Sequence, residues 1–420
     1  MQLQSKVLSN GVTIVSEYIP HVRSVSFGLW LSVGSRYETP KLNGASHFIE
    51  HMMFKGTPTH TAADIASKMD VLGGQLNAFT TKECTCYYGR VLDYTLRDAI
   101  DLLADMLFHA SFLDEHIENE RGVIREEIDM YEDDPEDLAA EQIMSAVFPD
   151  NPLGMSVLGT RESIAGLTRE NLLAFREAHY APNRLVIAVS GKVADEDLAY
   201  IEAIFSRLKR SADIDLQAPC YQQTLIAKPK EIEQNHLCLI FPGLSVNSDD
   251  RYAAQLFSGI LGGGMSSRLF QTVREEMGLC YNIGAFGASY RETGLLGIYA
   301  GLNADAEEKA IKATLGILKA LRDHGCHADE LDRARERVKS NVLMSLESTS
   351  SRMNSLGRST LFRGKVSSPE EINAAYDAVT LQDIRRVAKR LIDFSNLSLS
   401  AVGQVADEDV YRNWVAEGTR

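Results

Sequence analysis

The chain repeats itself at long range, and that repeat limits what it can fold into. Leu31-Ser-Val-Gly-Ser-Arg-Tyr37 recurs as Leu244-Ser-Val-Asn-Ser-Asp-Asp-Arg-Tyr252, and Val193-Ala-Asp-Glu-Asp197 recurs unchanged as Val405-Ala-Asp-Glu-Asp409. Leu167-Thr168 matches Val379-Thr380, and Asp114-Glu115 matches Asp329-Glu330. The separations are 213, 212, 212 and 215 residues, so the 420-residue chain divides into two copies of one unit of about 210. A chain of this length exceeds one ordinary core and suits two domains of about 200 residues. The joint falls in 211–234, where Ala218-Pro219 and Lys228-Pro229-Lys230 interrupt weak periodicity. The expected layout is an N-terminal domain over 1–210, a linker over 211–234 and a C-terminal domain over 235–420.

Local patterning gives the class of each copy. Residues 7–18 alternate as a strand broken by Asn10-Gly11, a hairpin signal, and 24–33 form a second β-rich run. Helical spacing covers 61–72 and stops at Gly73-Gly74; a run rich in Thr, Tyr and Val from Asn77 to Leu92 reads as one strand. From Leu96 to Val147 the pattern is helical with pauses, Asp114 capping the run that reaches Tyr131. A helix over 168–179 and a short strand over 185–189 follow. This mixture predicts an α+β fold of two duplicated domains, each a mainly antiparallel sheet packed with helices.

Composition excludes several classes. With 43 Lys plus Arg against 58 Asp plus Glu, the net charge of -15 argues against nucleic acid and favours cationic partners. Six cysteines without framework spacing read as free thiols of a reducing compartment. The first residues lack the pattern of a secretion or transit signal, and no apolar run approaches the ~20 residues that cross a bilayer. A cytoplasmic protein with no membrane insertion is expected.

The chemistry concentrates in His47-Phe-Ile-Glu50-His51. On a helix, positions i, i+3 and i+4 share one face, so two imidazoles and a carboxylate can meet one ion. Imidazole is a good zinc donor, and a carboxylate beside a zinc site can take a proton from water. H-x-x-E-H is the inverted form of the H-E-x-x-H zinc-hydrolase motif. The corresponding stretch of the second copy, 254–264, has no histidine or glutamate, so only the first copy can hold the metal. A third ligand must come from elsewhere, and Glu120 and Glu127, seven apart, point the same way on a helix. An offset of 215 places Arg335 opposite Glu120 and Val342 opposite Glu127, so the unit folds without acids there. His60, His109, His116 and His179 lack ligand spacing and read as surface or core histidines.

These residues resemble the pitrilysin-type, or inverzincin, metallopeptidases, most closely the catalytic subunit of the mitochondrial processing peptidase and its bacterial relatives. The resemblance covers essentially the whole chain, duplication included. It implies one Zn²⁺ per chain held by His47, His51 and Glu127, with Glu50 as general base and Glu120 as a supporting, non-ligating glutamate. It further implies that Gly73–Thr81 is an edge strand on which an extended peptide pairs, with Asn77, Ala78 and Phe79 as substrate-binding residues. Arg274 and Tyr281, which read on their own as a helix-surface charge and a core aromatic, become residues that reach the bound peptide from the other domain. Gly262-Gly263-Gly264 has no following Gly-Lys-Ser/Thr, which excludes a phosphate loop. It resembles a short form of the family's glycine-rich segment.

The expected function is zinc-dependent endopeptidase action on peptides or unfolded segments within a closed clamshell chamber, with basic peptides favoured, as in a processing peptidase, and a homodimer as the assembly. The alternative is a non-catalytic or partner-dependent subunit of the same fold, like the core subunits of respiratory complexes.

Overall fold

A computed structural model describes residues 2–419. The chain gathers into two compact units. The first comprises Met1–Asp129, Met155–Gln217 and Met344–Ser367; the second comprises Met130–Gly154, Ala218–Leu343 and Ser368–Arg420.

The first unit is built on six strands: β1 (Gln2–Val7), β2 (Thr13–Tyr18), β3 (Ser24–Leu31), β4 (Gln75–Thr80), β5 (Thr85–Leu92) and β6 (Leu185–Gly191). Their order is β1-β2-β6-β3-β5-β4, with only the β2/β6 pair parallel. The β1–β2 hairpin forms where Asn10-Gly11 predicts it. Gly11 donates to the Leu8 carbonyl with φ of +99°, a conformation that favours glycine, and a Cβ there would meet Asn183 at 3.0 Å.

The second unit holds β7 (Leu225–Pro229), β8 (Asn235–Pro242), β9 (Cys280–Ser289), β10 (Gly294–Leu302) and β11 (Ser398–Gly403), ordered β7-β11-β8-β10-β9. Only β11/β7 is parallel. Strand for strand, this reproduces β2-β6-β3-β5-β4, the topological counterpart of the sequence repeat. The second sheet lacks a partner for β1 among the described residues.

Three expectations change. The run from Asn77 to Leu92 is two antiparallel strands, β4 and β5, not one. Thr81 makes the turn: its amide donates to the Cys84 carbonyl, and its hydroxyl oxygen accepts from the amides of Glu83 and Cys84. The stretch 211–234 is not all linker, since β7 lies inside it and pairs with β11. The compact units also differ from a simple split of the chain. The first five α-helices are α1 (Ala45–Met53), α2 (Ala62–Val71), α3 (Leu96–His109), α4 (Asp114–Asp133) and α5 (Pro135–Val147). Of these, α5 packs in the second unit, where Ala139, Ile143 and Val147 cover Cys238, Ile240 and Val402. Its counterpart, the helix Thr349–Arg363, packs in the first, where Met353 and Leu356 cover Val15, Trp30, Cys86, Val186 and Ala188. Each copy supplies this helix to the other copy's sheet.

That exchange explains why β3 is buried on both faces. Phe27 and Leu29 pack with Phe48, Ile49 and Met52 of α1 and with Ile124 of α4, while Trp30 lies under the exchanged helix. Trp30 Nε1 donates to Met353 Sδ at 3.4 Å, and a Cβ on Gly357 would sit 2.2 Å from the indole, so only glycine allows this approach.

The two copies also share an anchor that corrects their alignment. Arg121 of α4 donates to the carbonyls of Ile164 and Leu167, and Arg335 donates to those of Tyr376 and Val379. Arg335 is therefore the counterpart of Arg121, not of Glu120. Glu120 and Glu127 then stand opposite Ala334 and Asn341, which still are not acids.

The segment entering α2 is pinned to α3 through Asp105. Its carboxylate accepts from the hydroxyls of Thr57 (2.6 Å) and Thr59 (2.9 Å), and from Nδ1 of His60 and of His109 (both 3.0 Å). Partial burial opposes its charge, but those four donors outweigh burial and bring its pKa down to about 2. A depressed carboxylate contributes stability that is complete above its ordinary value of 3.8 and is lost as pH falls through about 2. Asp105→Asn is expected to destabilise the protein by about 1–2 kcal/mol at pH 5, with the gap to wild type closing toward pH 2. Urea unfolding midpoints across that range check this, and a gap independent of pH would refute it.

Candidate metal centre

Helix α1 carries the motif and is fixed from its N-terminal end by a carboxylate. Glu38 accepts from the amides of Gly44 and Ser46, each at 2.7 Å, and from Asn43 Nδ2 at 3.0 Å. A buried anion at a helix N-terminus satisfies donors that have no partner within the helix. Burial pushes Glu38 up to about 7 against the pull of those donors.

With the helix set, Phe48, Ile49 and Met52 turn into the core and His47, Glu50 and His51 turn toward α4 and β4. His47 Nε2 lies 3.6 Å and His51 Nε2 3.8 Å from the same Glu127 oxygen. One donor atom from each of these three residues falls within 4.8 Å of the others, and this is the one such His/Cys/Asp/Glu group among the described residues. Glu120 accepts from His51 Nδ1 at 3.0 Å, and its other oxygen pairs with Lys55 Nζ at 2.6 Å. That contact places the His51 proton on Nδ1 and leaves the Nε2 lone pair facing His47 and Glu127.

The residues fit zinc. Two imidazole nitrogens and one carboxylate oxygen converge, the donor set of a catalytic site with an open position. Burial, with a smaller contribution from the neighbouring His51, brings His47 down to about 3, which keeps it in the neutral form that ligates. Burial raises Glu127, with His51 opposing the shift. Glu50 is raised as well, by burial first; the Thr80 hydroxyl and His51 oppose that shift, and Glu127 adds to it. A carboxylate whose affinity for protons is raised is a better base for water.

Thus His47, His51, Glu127, Glu50 and Glu120 are brought together in one unit. Asn77 and Ala78 lie on β4, which among the described residues is an edge strand paired only with β5. The Phe79 ring packs edge-on to Trp30 at 5.5 Å between centroids. In the second unit, the Arg274 guanidinium lies 5.9 Å from the Tyr281 ring centroid, and Arg274 donates to Glu275 at 3.2 Å. Tyr281 is 77% exposed, so reading it as a core aromatic is wrong. Two contributors had no sequence signal: Lys55, which pairs with Glu120, and Thr80, whose hydroxyl donates to Glu50. Both reach the site through tertiary folding, and no periodicity marks them. All six cysteines are free, and among the described residues no helix is long and apolar enough to cross a membrane.

A duplicated α/β chain with an H-x-x-E-H helix and a glutamate from a second helix defines a class, the inverted-motif zinc peptidase fold. Residues 13–161 match the family model described as insulinase, peptidase family M16, and residues 166–338 match the peptidase M16 inactive domain. The chain belongs to peptidase family M16. It is 40% identical over 399 residues to an uncharacterized zinc protease of Bacillus subtilis, covering 94% of this chain and 98% of that one. An uncharacterized zinc protease of Streptomyces coelicolor is 39% identical over 415 residues, covering 96% and 90%. Among solved structures, a peptidase M16 inactive domain from Pseudomonas fluorescens superposes with a TM-score of 0.91 at 20% identity, covering 97% of this chain and 100% of that one. A chain of Complex III2 from Candida albicans superposes with a TM-score of 0.85 at 21% identity, covering 99% and 100%. The structural likenesses establish the fold, and the family and its named relatives support a protease function.

Proposed function

We propose that this chain is a zinc-dependent endopeptidase acting on peptides or unfolded segments, with processing of basic peptides as its role. The observation that carries the reading is the convergence of His47, His51 and Glu127 with Glu50 on the same helix face. Bound there, one Zn²⁺ per chain supplies Lewis acidity toward a carbonyl and lowers the pKa of water. Glu50 takes the proton of the attacking water and returns it to the leaving amine. Glu120 and Lys55 hold His51 in its ligating tautomer. A peptide pairs in extended form along β4 beside Asn77, Ala78 and the backbone of Phe79, so affinity depends little on sequence. Arg274 holds a substrate carbonyl, and the Tyr281 hydroxyl donates to the developing oxyanion, so catalysis requires the chain to close around the peptide as a chamber that excludes folded proteins. A homodimer in the bacterial cytoplasm is the expected assembly.

The alternative is a non-catalytic or partner-dependent subunit, favoured by the fold likeness to a Complex III2 chain. The complete donor set weighs against it. An internally quenched, Arg-containing peptide separates the two. The purified chain is expected to cut it, to stop on chelation and to resume when zinc is returned. A zinc-loaded chain that leaves the peptide intact overturns the peptidase reading in favour of a subunit role.

A further inference from the structure

We propose that Thr80 is a positioning residue for Glu50, tying the proton-accepting carboxylate to the strand on which the peptide is laid. The inference rests on the peptidase reading above. Thr80 is the last residue of β4, and its hydroxyl donates to Glu50 Oε2 across the gap between strand and helix. The direction of that bond follows from the carboxylate, whose oxygens only accept. Thr85 donates its own proton to the Val33 carbonyl at 3.0 Å, so its Oγ1, 3.3 Å from Thr80 Oγ1, can only be a second and more distant acceptor. The Glu50 oxygen is the nearer acceptor for the Thr80 proton.

Thr80 is in turn held by its pairing with Thr85 at the end of the β4–β5 ladder, so the hydroxyl is presented by a sheet rather than by a loop. One fixed hydrogen bond on Oε2 sets the rotation of the carboxylate and leaves Oε1 for water. Among the described residues the other side of β4 carries no strand, and the Ala78 amide there is taken by Asn77 Oδ1 at 2.8 Å. A peptide that displaces this contact and pairs beside Ala78 docks two residues from the hydroxyl that orients the base. Binding and proton transfer are thereby coupled through a single strand.

The test uses the full chain with Thr80→Val, which keeps shape and β-branching but loses the donor, and Thr80→Ser, which keeps the donor. Thr80→Val is expected to lower kcat about ten- to a hundredfold with KM and zinc content near wild type, while Thr80→Ser stays within about threefold. Equal losses in the two variants, a change confined to KM, or an unchanged kcat in Thr80→Val would overturn the proposal. A second measurement is independent of cleavage: the shift in urea midpoint caused by Thr80→Val is expected in the wild-type background and absent in a Glu50→Ala background. Additive shifts would overturn the proposal even in an active peptidase. Non-additive shifts in a zinc-loaded chain that cuts nothing would support the contact and overturn the peptidase reading instead.

Discussion

Glu50→Gln is expected to lower peptide cleavage by about 10²–10⁴-fold while leaving the zinc content unchanged. Glutamine keeps the length and the oxygen that accepts from Thr80, so the helix face and its contacts persist. What it lacks is a site for the proton of the attacking water. Glu50 stands outside the group whose donor atoms fall within 4.8 Å of one another, so zinc binding by that group is expected to survive its replacement. Burial raises its proton affinity, which moves a carboxylate toward the working range of a general base. Cleavage rates and metal analysis on the same samples decide the matter. Loss of zinc along with activity would make Glu50 a ligand, and retained cleavage would remove it from the chemistry altogether.

The parts of this site legible in the sequence are those that helical geometry alone specifies. His47, Glu50 and His51 share a face because of the helical period, and Glu120 and Glu127 share one because seven residues are close to two turns. The family spacing implies Glu127 rather than Glu120 as the ligand, and in the structure Glu120 is engaged by His51 Nδ1 and Lys55. Lys55 and Thr80 were illegible because each meets its partner only through the tertiary fold, Lys55 across to α4 and Thr80 across to α1. The β4–β5 turn leaves no sequence signal for a local reason, since Thr81 builds it from side-chain hydrogen bonds without glycine, proline or asparagine. Alignment of the copies slipped by one residue around Glu120 because the anchor that fixes it, arginine on two carbonyls, leaves no periodic trace. The helix exchange lay further out of reach, because amphipathic spacing specifies that 135–147 and 349–363 each cover a sheet but not which one.

That exchanged helix should be the most sensitive point in the first unit. Arg352→Ala is expected to destabilise the protein by about 3–5 kcal/mol. The Arg352 guanidinium meets Glu17 of β2 at 2.5 Å, with side chains 8% and 11% exposed, and also donates to the Leu346 carbonyl. Removing the cation leaves a carboxylate buried in the sheet without it, and water can return to Glu17 only if the helix lifts. The surrounding contacts resist that lift: the Thr349 and Ser26 hydroxyls stand 2.9 Å apart, and Met353 and Leu356 close over Trp30. The cost therefore appears as lost stability rather than as local relaxation. A double variant, Arg352→Met with Glu17→Gln, removes both charges and keeps the bulk, so it is expected to lose much less than the single change. Of the two tryptophans, Trp30 is the one beneath this helix, and its fluorescence in a Trp414→Phe background should follow the helix as it leaves. Equal losses from the single and double variants would show that the helix is held by its apolar face alone and that the ion pair only decorates it.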